Sequence, residues 1–511
     1  MSAVHPVLPA VRELAGTVLS VGGALLVSAA VVILVIGFVR AWRDGRRTKL
    51  VVATLEDATC DPATDGAAIG ITHRLREEIL ETLPHLAGRW KDIVEHPPPG
   101  ATSPIGTMST HGNALAVQLV DDIATTQRQL TESIESLVPD SARNALHVVA
   151  QTLLRPRGIQ VSGALQRTSD AAGGVGMSFT VNELHSRDAA RHITIWEDGT
   201  SQVAGKALLE RIHALVVPAS RALACELLRQ QLTNTRSERR FPRGLALLIG
   251  SRRAVRRAYR REAVVDFVTG LVYQETAHTC LPATVSFYRL SASALERADA
   301  GLDYYKAPFL RALSLAELGK REEDDERAAS VLTEANRLLD DAHRQLPAAG
   351  LPDEVMRVED LKIREAVATN CCVIVERLPD EADRAKKAAA VIAELQSVDP
   401  SLHEDSSLLY NLACTLAVAS RMTELKHHGL VADRCLTHAQ RSLLHACLRD
   451  DGWWHDATVD VDLASLHPWM PRARRLLADA RAARTATAVL NPAARSDVVE
   501  EVLVQAARSS V

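Results

Sequence analysis

Aromatic residues are scarce in this chain. Phe, Trp and Tyr make up 4% of its 511 residues, whereas hydrophobic residues as a whole make up 47%. The apolar content is therefore mostly aliphatic and alanine, which favours close-packed helices over a β-sandwich or barrel, whose strands prefer aromatic and β-branched residues. The length predicts more than one domain, because single hydrophobic cores rarely grow beyond about 250 residues.

Paired cysteines and a strong net charge are also missing. The eight cysteines form no C-x-x-C pair and no spacing typical of zinc ligands, which is the pattern of a reduced, cytoplasmic chain. Cys225, Cys414 and Cys447 lie in apolar helical runs, where a free cysteine is usually a small core residue. The formal net charge of −4 gives no overall sign of a nucleic-acid binder.

Enzymatic motifs are absent as well. The sequence contains no G-x-S-x-G, P-loop, H-E-x-x-H, kinase set or dinucleotide fingerprint. Asp460 and Asp462 are expected to cap a helix rather than to bind a metal. Four histidines, at positions 427, 428, 438 and 445, lack carboxylate or cysteine partners at ligand spacing. We therefore predict a protein that is not an enzyme and that holds no metal or cofactor.

One long apolar run stands near the amino terminus. Residues 14–39 are 26 consecutive residues without a charge, long enough to cross a hydrocarbon core of about 30 Å as a helix. The run is too long for the apolar core of a cleaved signal peptide. It predicts a transmembrane helix that acts as a single-pass anchor.

The residues that flank this run predict its orientation. Residues 1–13 contain one Arg and one Glu, whereas residues 40–49 contain five basic side chains. The positive-inside bias then places a short amino terminus outside the cell membrane and the remaining chain in the cytoplasm. The residues expected at the membrane interface are Arg40, Trp42, Arg43, Arg46 and Arg47.

Small residues recur every fourth position inside the same run, at Gly16, Ser20, Ala24 and Ser28. Such a stripe lets two membrane helices pack closely, so a homo-oligomer is one possible partner arrangement.

A small α/β module is expected over residues 50–235. Lys49–Leu55 has the pattern of a buried strand, and a helix is expected over 65–80. An exposed loop follows over 84–111, and two helices near 112–137 and 140–154. Apolar residues then alternate with polar ones in three strands, and a hairpin turn over 169–174 joins the first two of them. The alternating residues are Ile159, Val161, Leu165, Val175, Met177, Phe179, Val181, Ile193 and Ile195.

These strands resemble the small α/β domain of TolB-like regulators. The resemblance rests on the first strand with its Asp-Gly helix entry, on Val161–Arg167 as a hairpin strand, and on the closing strand that ends Ile195-Trp196-Glu197. The second strand of that family is not evident between 84 and 111. The resemblance implies a non-catalytic module, often followed by tetratricopeptide repeats, and it implies no active-site residues.

An arginine-rich segment covers residues 236–262. It contains ten arginines and two glutamates, and its pairs repeat every four residues, which gathers them on one broad face of a helix. The segment could be a linker helix that pairs with acidic repeats, a surface for anionic lipid headgroups, or, least favoured, a nucleic-acid contact. The paired residues are Arg252, Arg253, Arg256, Arg257, Arg260 and Arg261.

Residues 263–485 show helix after helix with short breaks. Two copies of a small-residue and leucine pattern, which resemble tetratricopeptide repeats, begin near Phe309 and Leu409. Both copies depart from a strict repeat period of roughly 34 residues, because the gap between the small residue of the first helix and that of the second is longer than in the family, by about four and seven residues. The residues expected to pack the repeats are Ala312, Ala328, Leu332, Ala335, Ala413, Ala432, Leu436 and Ala439.

The sequence thus predicts a mainly α fold with a small α/β module. A short extracytoplasmic segment (1–13) and a transmembrane helix (14–39) precede the α/β domain (50–235), the Arg-rich linker helix (236–262), a TPR-like helical repeat stack (263–485) and a tail (486–511). Stacked helical repeats usually bind a protein or peptide. We expect a membrane-tethered cytoplasmic scaffold or adaptor with an unknown protein partner. The alternatives are a membrane-bound sensor whose α/β module binds a small ligand, and lipid or nucleic-acid binding through the Arg-rich segment.

Overall fold

The chain forms two compact units in a computed structural model. The structure describes residues 48–61, 64, 66–95, 117–119, 158–168, 174–183, 190–198, 206–233, 252–379 and 382–490. The first unit comprises the described residues of 1–87 and 111–231, and the second those of 88–110 and 232–511.

The first unit contains a mixed β-sheet. Its strands are β1 (Thr48–Val52), β2 (Glu56–Asp57), β3 (Val117–Leu119), β4 (Gly158–Arg167), β5 (Val175–Glu183) and β6 (Arg191–Trp196). Their order is β3-β1-β4-β5-β6, and β2 also pairs with β4. Strand β1 is parallel to β3 and β4, whereas β4, β5 and β6 are antiparallel.

One face of this sheet is the core of the first unit. Val161, Val175, Met177 and Ile195 are fully buried, and the residues between them along β4 and β6 are more exposed. Helix α1 (Ala67–Glu95) and helix α2 (Lys206–Thr233) supply further buried aliphatic side chains. The three expected strands are confirmed as β4, β5 and β6, because period-two burial requires an extended chain.

Two local expectations for the first unit are wrong. Helix α1 continues through Pro84 to Glu95, so the loop expected over 84–111 starts at least twelve residues too early. Within the range 112–137, where a helix is expected, the described residues Val117–Leu119 form strand β3 and pair with β1 in parallel. Pairing with a distant strand overrides the local helical pattern there. The helix expected over 140–154 lies outside the described residues.

The expected fold class needs a correction at its first element. Within the described ranges, no helix has both the length and the apolar run that crossing a membrane requires. That part of the chain is mainly helical with a small sheet and contains no transmembrane helix. The predicted span, residues 14–39, lies outside the described residues, as do residues 1–13.

The second unit is a stack of helices. Its α-helices are α3 (Arg252–Thr279), α4 (Thr284–Asp299), α5 (Lys306–Arg321), α6 (Asp325–Gln345), α7 (Asp353–Arg377), α8 (Ala382–Leu395), α9 (Ser406–Arg421), α10 (Thr423–Lys426), α11 (Ala432–Arg449), α12 (Gly452–Val459) and α13 (Met470–Leu490). Short 3₁₀ helices lie at Leu281–Ala283, Leu346–Ala349, Pro400–Leu402 and Val461–Trp469.

These helices form two layers. The first layer contains α3, α5, α7, α9 and the 3₁₀ helix Val461–Trp469, and the second contains α4, α6, α8, α11 and α13. Helices α5 and α7 run in the same direction, because Lys306 at the start of α5 lies 3.3 Å from Glu359, and Arg377 at the end of α7 bonds the Lys320 carbonyl at 2.9 Å. The expected helical stack is therefore confirmed, and its layered arrangement is consistent with a helical repeat protein. The first-layer helices start at Lys306, Asp353 and Ser406, farther apart than the roughly 34 residues of a tetratricopeptide repeat.

Small residues allow the two layers to approach closely. A Cβ atom added at Gly319 of α5 would lie 2.8 Å from Leu332 Cγ of α6, and one added at Gly270 of α3 would lie 2.6 Å from Leu295 Cγ of α4. A short hydrogen-bond chain crosses the same region, in which Ser314 Oγ donates to Ser291 Oγ (3.0 Å) and Ser291 Oγ donates to the Gly270 carbonyl (2.8 Å). The leucines fill the space that the glycines leave.

We expect Gly319→Ala to destabilise the stack by about 1–3 kcal/mol, because the added methyl overpacks the contact with Leu332. Gly70→Ala in α1 is the matched control. Its Cβ meets nothing within 4 Å, so helix propensity should stabilise it by about 0.5–1 kcal/mol. Denaturant unfolding measures both changes, and a Gly319→Ala protein at least as stable as the wild type would contradict the packing described.

Candidate functional site

The first layer of the stack presents a face on which polar and apolar residues are mixed. Residues spaced three and four apart along α5, α7 and α9 lie on one side of each helix. On that side each helix combines charged or polar residues with half-exposed apolar ones. We call this surface the first-layer face: Lys306, Leu310, Leu313, Glu317 and Lys320 of α5; Lys362, Glu365, Thr369, Val373 and Glu376 of α7; and Ser407, Asn411, Cys414, Val418 and Arg421 of α9.

Alternating charges connect three helices at one end of this face. Lys306 Nζ lies 3.3 Å from Glu359 Oε2, and Lys362 Nζ lies 3.6 Å from Glu359 Oε1 and 2.6 Å from Asp405 Oδ2. The Tyr305 hydroxyl donates to Glu359 at 3.1 Å. Asp405 also accepts from the Ser407 and Leu408 amides as the cap of α9. We call Lys306, Glu359, Lys362 and Asp405 the charged row.

Burial and neighbouring charges shift the pKa values of Asp405, Lys306 and Lys362. Burial would raise the pKa of Asp405, but Lys362, Ser407 and the Leu408 amide lower it to about 2. Burial lowers the pKa of Lys306, and Glu359 opposes that effect. For Lys362, burial is outweighed by Asp405 and Glu359, so its pKa is raised. The opposite charges of Lys362 on α7 and Asp405 at the start of α9 thus stabilise each other across the two helices.

A buried carboxyl lies at the middle of the face. Glu365 is 9% exposed, and its Oε1 accepts from Thr369 at 2.8 Å and from Thr415 of α9 at 2.9 Å. Burial raises the pKa of Glu365, and the two threonine hydroxyls and Lys320 partly offset the rise. The middle of the face is therefore held together by hydrogen bonds to one carboxyl.

An acidic turn that contains Asp460 and Asp462 lies beside α9, at the α9 edge of the first-layer face. The Tyr410 hydroxyl donates to Asp460 at 2.8 Å, and the Tyr410 ring stacks on Trp453 with centroids 4.5 Å apart. Asp460 also accepts from the Asp462 amide, so the expected capping role is confirmed. Burial and the neighbouring Asp460 raise the pKa of Asp462, whereas Lys320 of α5 and Arg421 of α9 lower it.

The predicted packing residues lie where helices meet, with two exceptions. Six of them are fully buried in α5, α6, α9 and α11: Ala312, Ala328, Leu332, Ala335, Ala413 and Ala439. Ala432, the first residue of α11, and Leu436 are only half-buried. The two copies are the pairs α5–α6 and α9–α11, and a further pair, α7–α8, lies between them.

The side chains of the predicted lipid-binding and membrane-interface residues lie outside the described part of the chain. Arg252, Arg253, Arg256, Arg257, Arg260 and Arg261 are in the first turns of α3, but their side chains lie outside the described part of the chain. Arg40, Trp42, Arg43, Arg46 and Arg47 lie outside the described residues altogether. Lipid or polyanion binding stays a prediction.

The described cysteines are free thiols, and the described cysteines and histidines form no metal-binding cluster. All eight cysteines are free; Cys225 and Cys447 are buried in helices as expected, whereas Cys414, also expected in the core, is only half-buried. Burial raises the pKa of the Cys447 thiol to about 12. Over the described ranges, no group of three His, Cys, Asp or Glu side chains could hold a metal ion.

Sequence reasoning missed the charged row and Glu365. The available signal was a charged residue inside an apolar helical run, as in Glu365-Ala366-Val367-Ala368. Such a residue needs a partner once it is buried. The identity of that partner depends on the neighbouring helix.

Comparison of the chain with protein-family models, curated proteins and solved structures finds no match. These comparisons therefore support neither the TolB-like resemblance nor the tetratricopeptide resemblance.

We expect Glu359→Gln to destabilise the stack by about 3 kcal/mol, because the neutral side chain leaves Lys306 buried without its countercharge. Glu334→Gln is the matched control, since Glu334 pairs with Arg337 at the surface of α6. We expect it to cost no more than about 1 kcal/mol. Denaturant unfolding compares the two variants, and equal midpoints would show that the charged row does not couple α5 to α7.

Proposed function

We propose that the protein is an adaptor or scaffold whose helical stack binds a protein partner through the first-layer face. The observation that supports this role is the arrangement of α5, α7 and α9 side by side, with half-exposed aliphatic residues flanked by charges. Extended helical stacks use such faces to hold a peptide or another protein. The role is inferred from architecture and surface chemistry, since a fold alone does not fix function.

The composition of the face suggests an extended, mixed-charge partner segment. Leu310 and Leu313 of α5, Val373 of α7 and Val418 of α9 are half-buried and offer apolar contact. Exposed charges of both signs lie at the carboxyl ends of the three helices, at Lys320, Glu376 and Arg421, which favours a segment that combines apolar and charged residues. The fixed network beneath the face presents these side chains at little cost in ordering.

A ligand-binding role for the first unit remains the alternative. The loop that follows β1 lies at the carboxyl end of parallel strands, where many α/β proteins bind ligands. Its side chains bond one another, however: Thr59 Oγ1 lies 2.7 Å from Thr64 Oγ1 and donates to Asp57 at 2.7 Å. The observations favour the stack over this loop as the binding surface.

The predicted location at the cell membrane depends on residues 14–39, which lie outside the described residues. It stays a prediction from the sequence, as does the cytoplasmic placement of the remaining chain.

Site-specific photocrosslinking in cells tests the proposed function. A photoreactive residue replaces Lys320, Glu376 or Asn411, which are exposed on the first-layer face. The controls replace Asp340, Lys387 or Arg434, which are exposed on the second-layer helices α6, α8 and α11. We expect the three first-layer positions to capture the same protein and the three controls to capture none of it.

Two results would contradict the proposal. One is the absence of any discrete crosslinked product from all three first-layer positions. The other is an equal yield of the same product from both layers, which would show contact without preference for this face.

A further inference from the structure

A short connection between α8 and α9 is attached along one side of α11. The connection, residues 396–405, contains the 3₁₀ helix Pro400–Leu402 and ends at Asp405. Gln396 Nε2 donates to Cys435 Sγ at 2.7 Å, Asp399 lies 3.6 Å from Arg441, and Arg449 donates to the Ser401 carbonyl at 3.1 Å. The contacting residues of α11 recur at helical spacing, so they form one side of that helix.

Two buried histidines lie on this side of α11. His438 is 9% exposed and His445 is 5% exposed, and Ser442 between them is fully buried. The ring of His438 is hydrogen-bonded to the backbone of Val398 in the connection. His438 Nε2, Ser442 Oγ and His445 Nε2 have no hydrogen-bond partner among the described residues.

The geometry around His445 requires a neutral ring. Arg449 directs a guanidinium N–H at His445 Nδ1 over 3.3 Å, so that nitrogen is the acceptor and the ring hydrogen is on Nε2. A proton added to Nδ1 would place two donors against each other. The same Arg449 holds the connection at Ser401, so the two contacts share one side chain.

We propose that residues 396–405 and the His438–His445 side of α11 form an acid-sensitive latch, in which protonation of the two rings releases the connection from α11. The charges near the rings are unfavourable to two added protons. Arg441 and Arg449 of α11 are cations, and Asp399 of the connection is the one acid that stabilises the charged rings.

The other elements packed on α11 supply no counter-charge to these rings. His403 of the connection is itself titratable and lies near Arg449. Tyr410 of α9 bonds Asp460, and Arg481 of α13 bonds Asp451 and the Cys447 carbonyl. No other charged group of the described residues shifts the pKa of His438 or His445.

The pKa shifts give the direction of the pH dependence. Burial, followed by the nearby arginines, lowers the pKa of His438 and of His445 from 6.5 to about 4. A released ring takes up a proton below its ordinary pKa, whereas the latched ring does not. The latch is therefore closed above pH 6.5 and weakens as the pH falls from 6.5 towards 4.

Asp405 connects the latch to the helices of the first layer. This residue ends the connection, caps α9 and pairs with Lys362 of α7. Loss of the latch would therefore loosen the α7–α9 contact at the charged row.

Amide hydrogen exchange on the full-length protein tests the latch. We compare pH 7.5 with pH 5.0 after correction for intrinsic exchange rates. Protection of residues 396–405 should fall by more than about tenfold on acidification, relative to residues of α5 and α6. In His438→Asn/His445→Asn most of the acid-dependent loss should disappear, and His403, whose pKa burial also lowers, accounts for the remainder. The control His428→Asn, at an exposed histidine, should behave like the wild type.

The single variants His438→Asn and His445→Asn keep the test decisive if the double variant is already released at pH 7.5. Each should show roughly the square root of the wild-type loss, because one ring remains. Unchanged protection of the wild type at pH 5.0, or a single variant with the full wild-type loss, would overturn the latch. Exchange reports the release whether or not the stack binds a partner.

Discussion

The close approach of the two helical layers is the contact on which the second unit depends. Gly270 and Gly319 let Leu295 and Leu332 reach the backbone of the facing helix. Alanines continue this small-residue pattern at Ala312, Ala328 and Ala335, all of them fully buried. Because a chain with few aromatic residues has few large side chains to fill space, close helix approach is the available way to reach native packing density.

Close packing between layers leaves the first-layer helices to contact one another through polar groups. The charged row and the hydrogen bonds to Glu365 connect α5, α7 and α9 in register. Buried ion pairs contribute little net stability, but a mismatch leaves a charge without a partner. The row therefore specifies the alignment of the helices and, with it, the surface that the stack offers to a partner.

Polar contacts also attach α11 to the remaining stack. Its apolar side packs on α9, and its polar side holds residues 396–405 through Cys435, His438, Arg441 and Arg449. A contact that depends on neutral imidazoles beside two guanidinium groups is sensitive to pH in a way that an aliphatic contact is not. The charged row and this connection meet at Asp405, which belongs to both.

The sequence by itself determined the elements whose period is local. Alternation at Val161, Met177 and Ile195 predicted strands, and the Ala and Leu spacing around Leu332 predicted paired helices, because burial on one side leaves its period in the chain. Tertiary structure decided the rest. Strand β3 exists through its pairing with β1, and Glu359 finds Lys306 more than fifty residues away. A charged residue inside an apolar run indicates that a partner is needed once the residue is buried. Only the packing of the helices decides which residue that partner is.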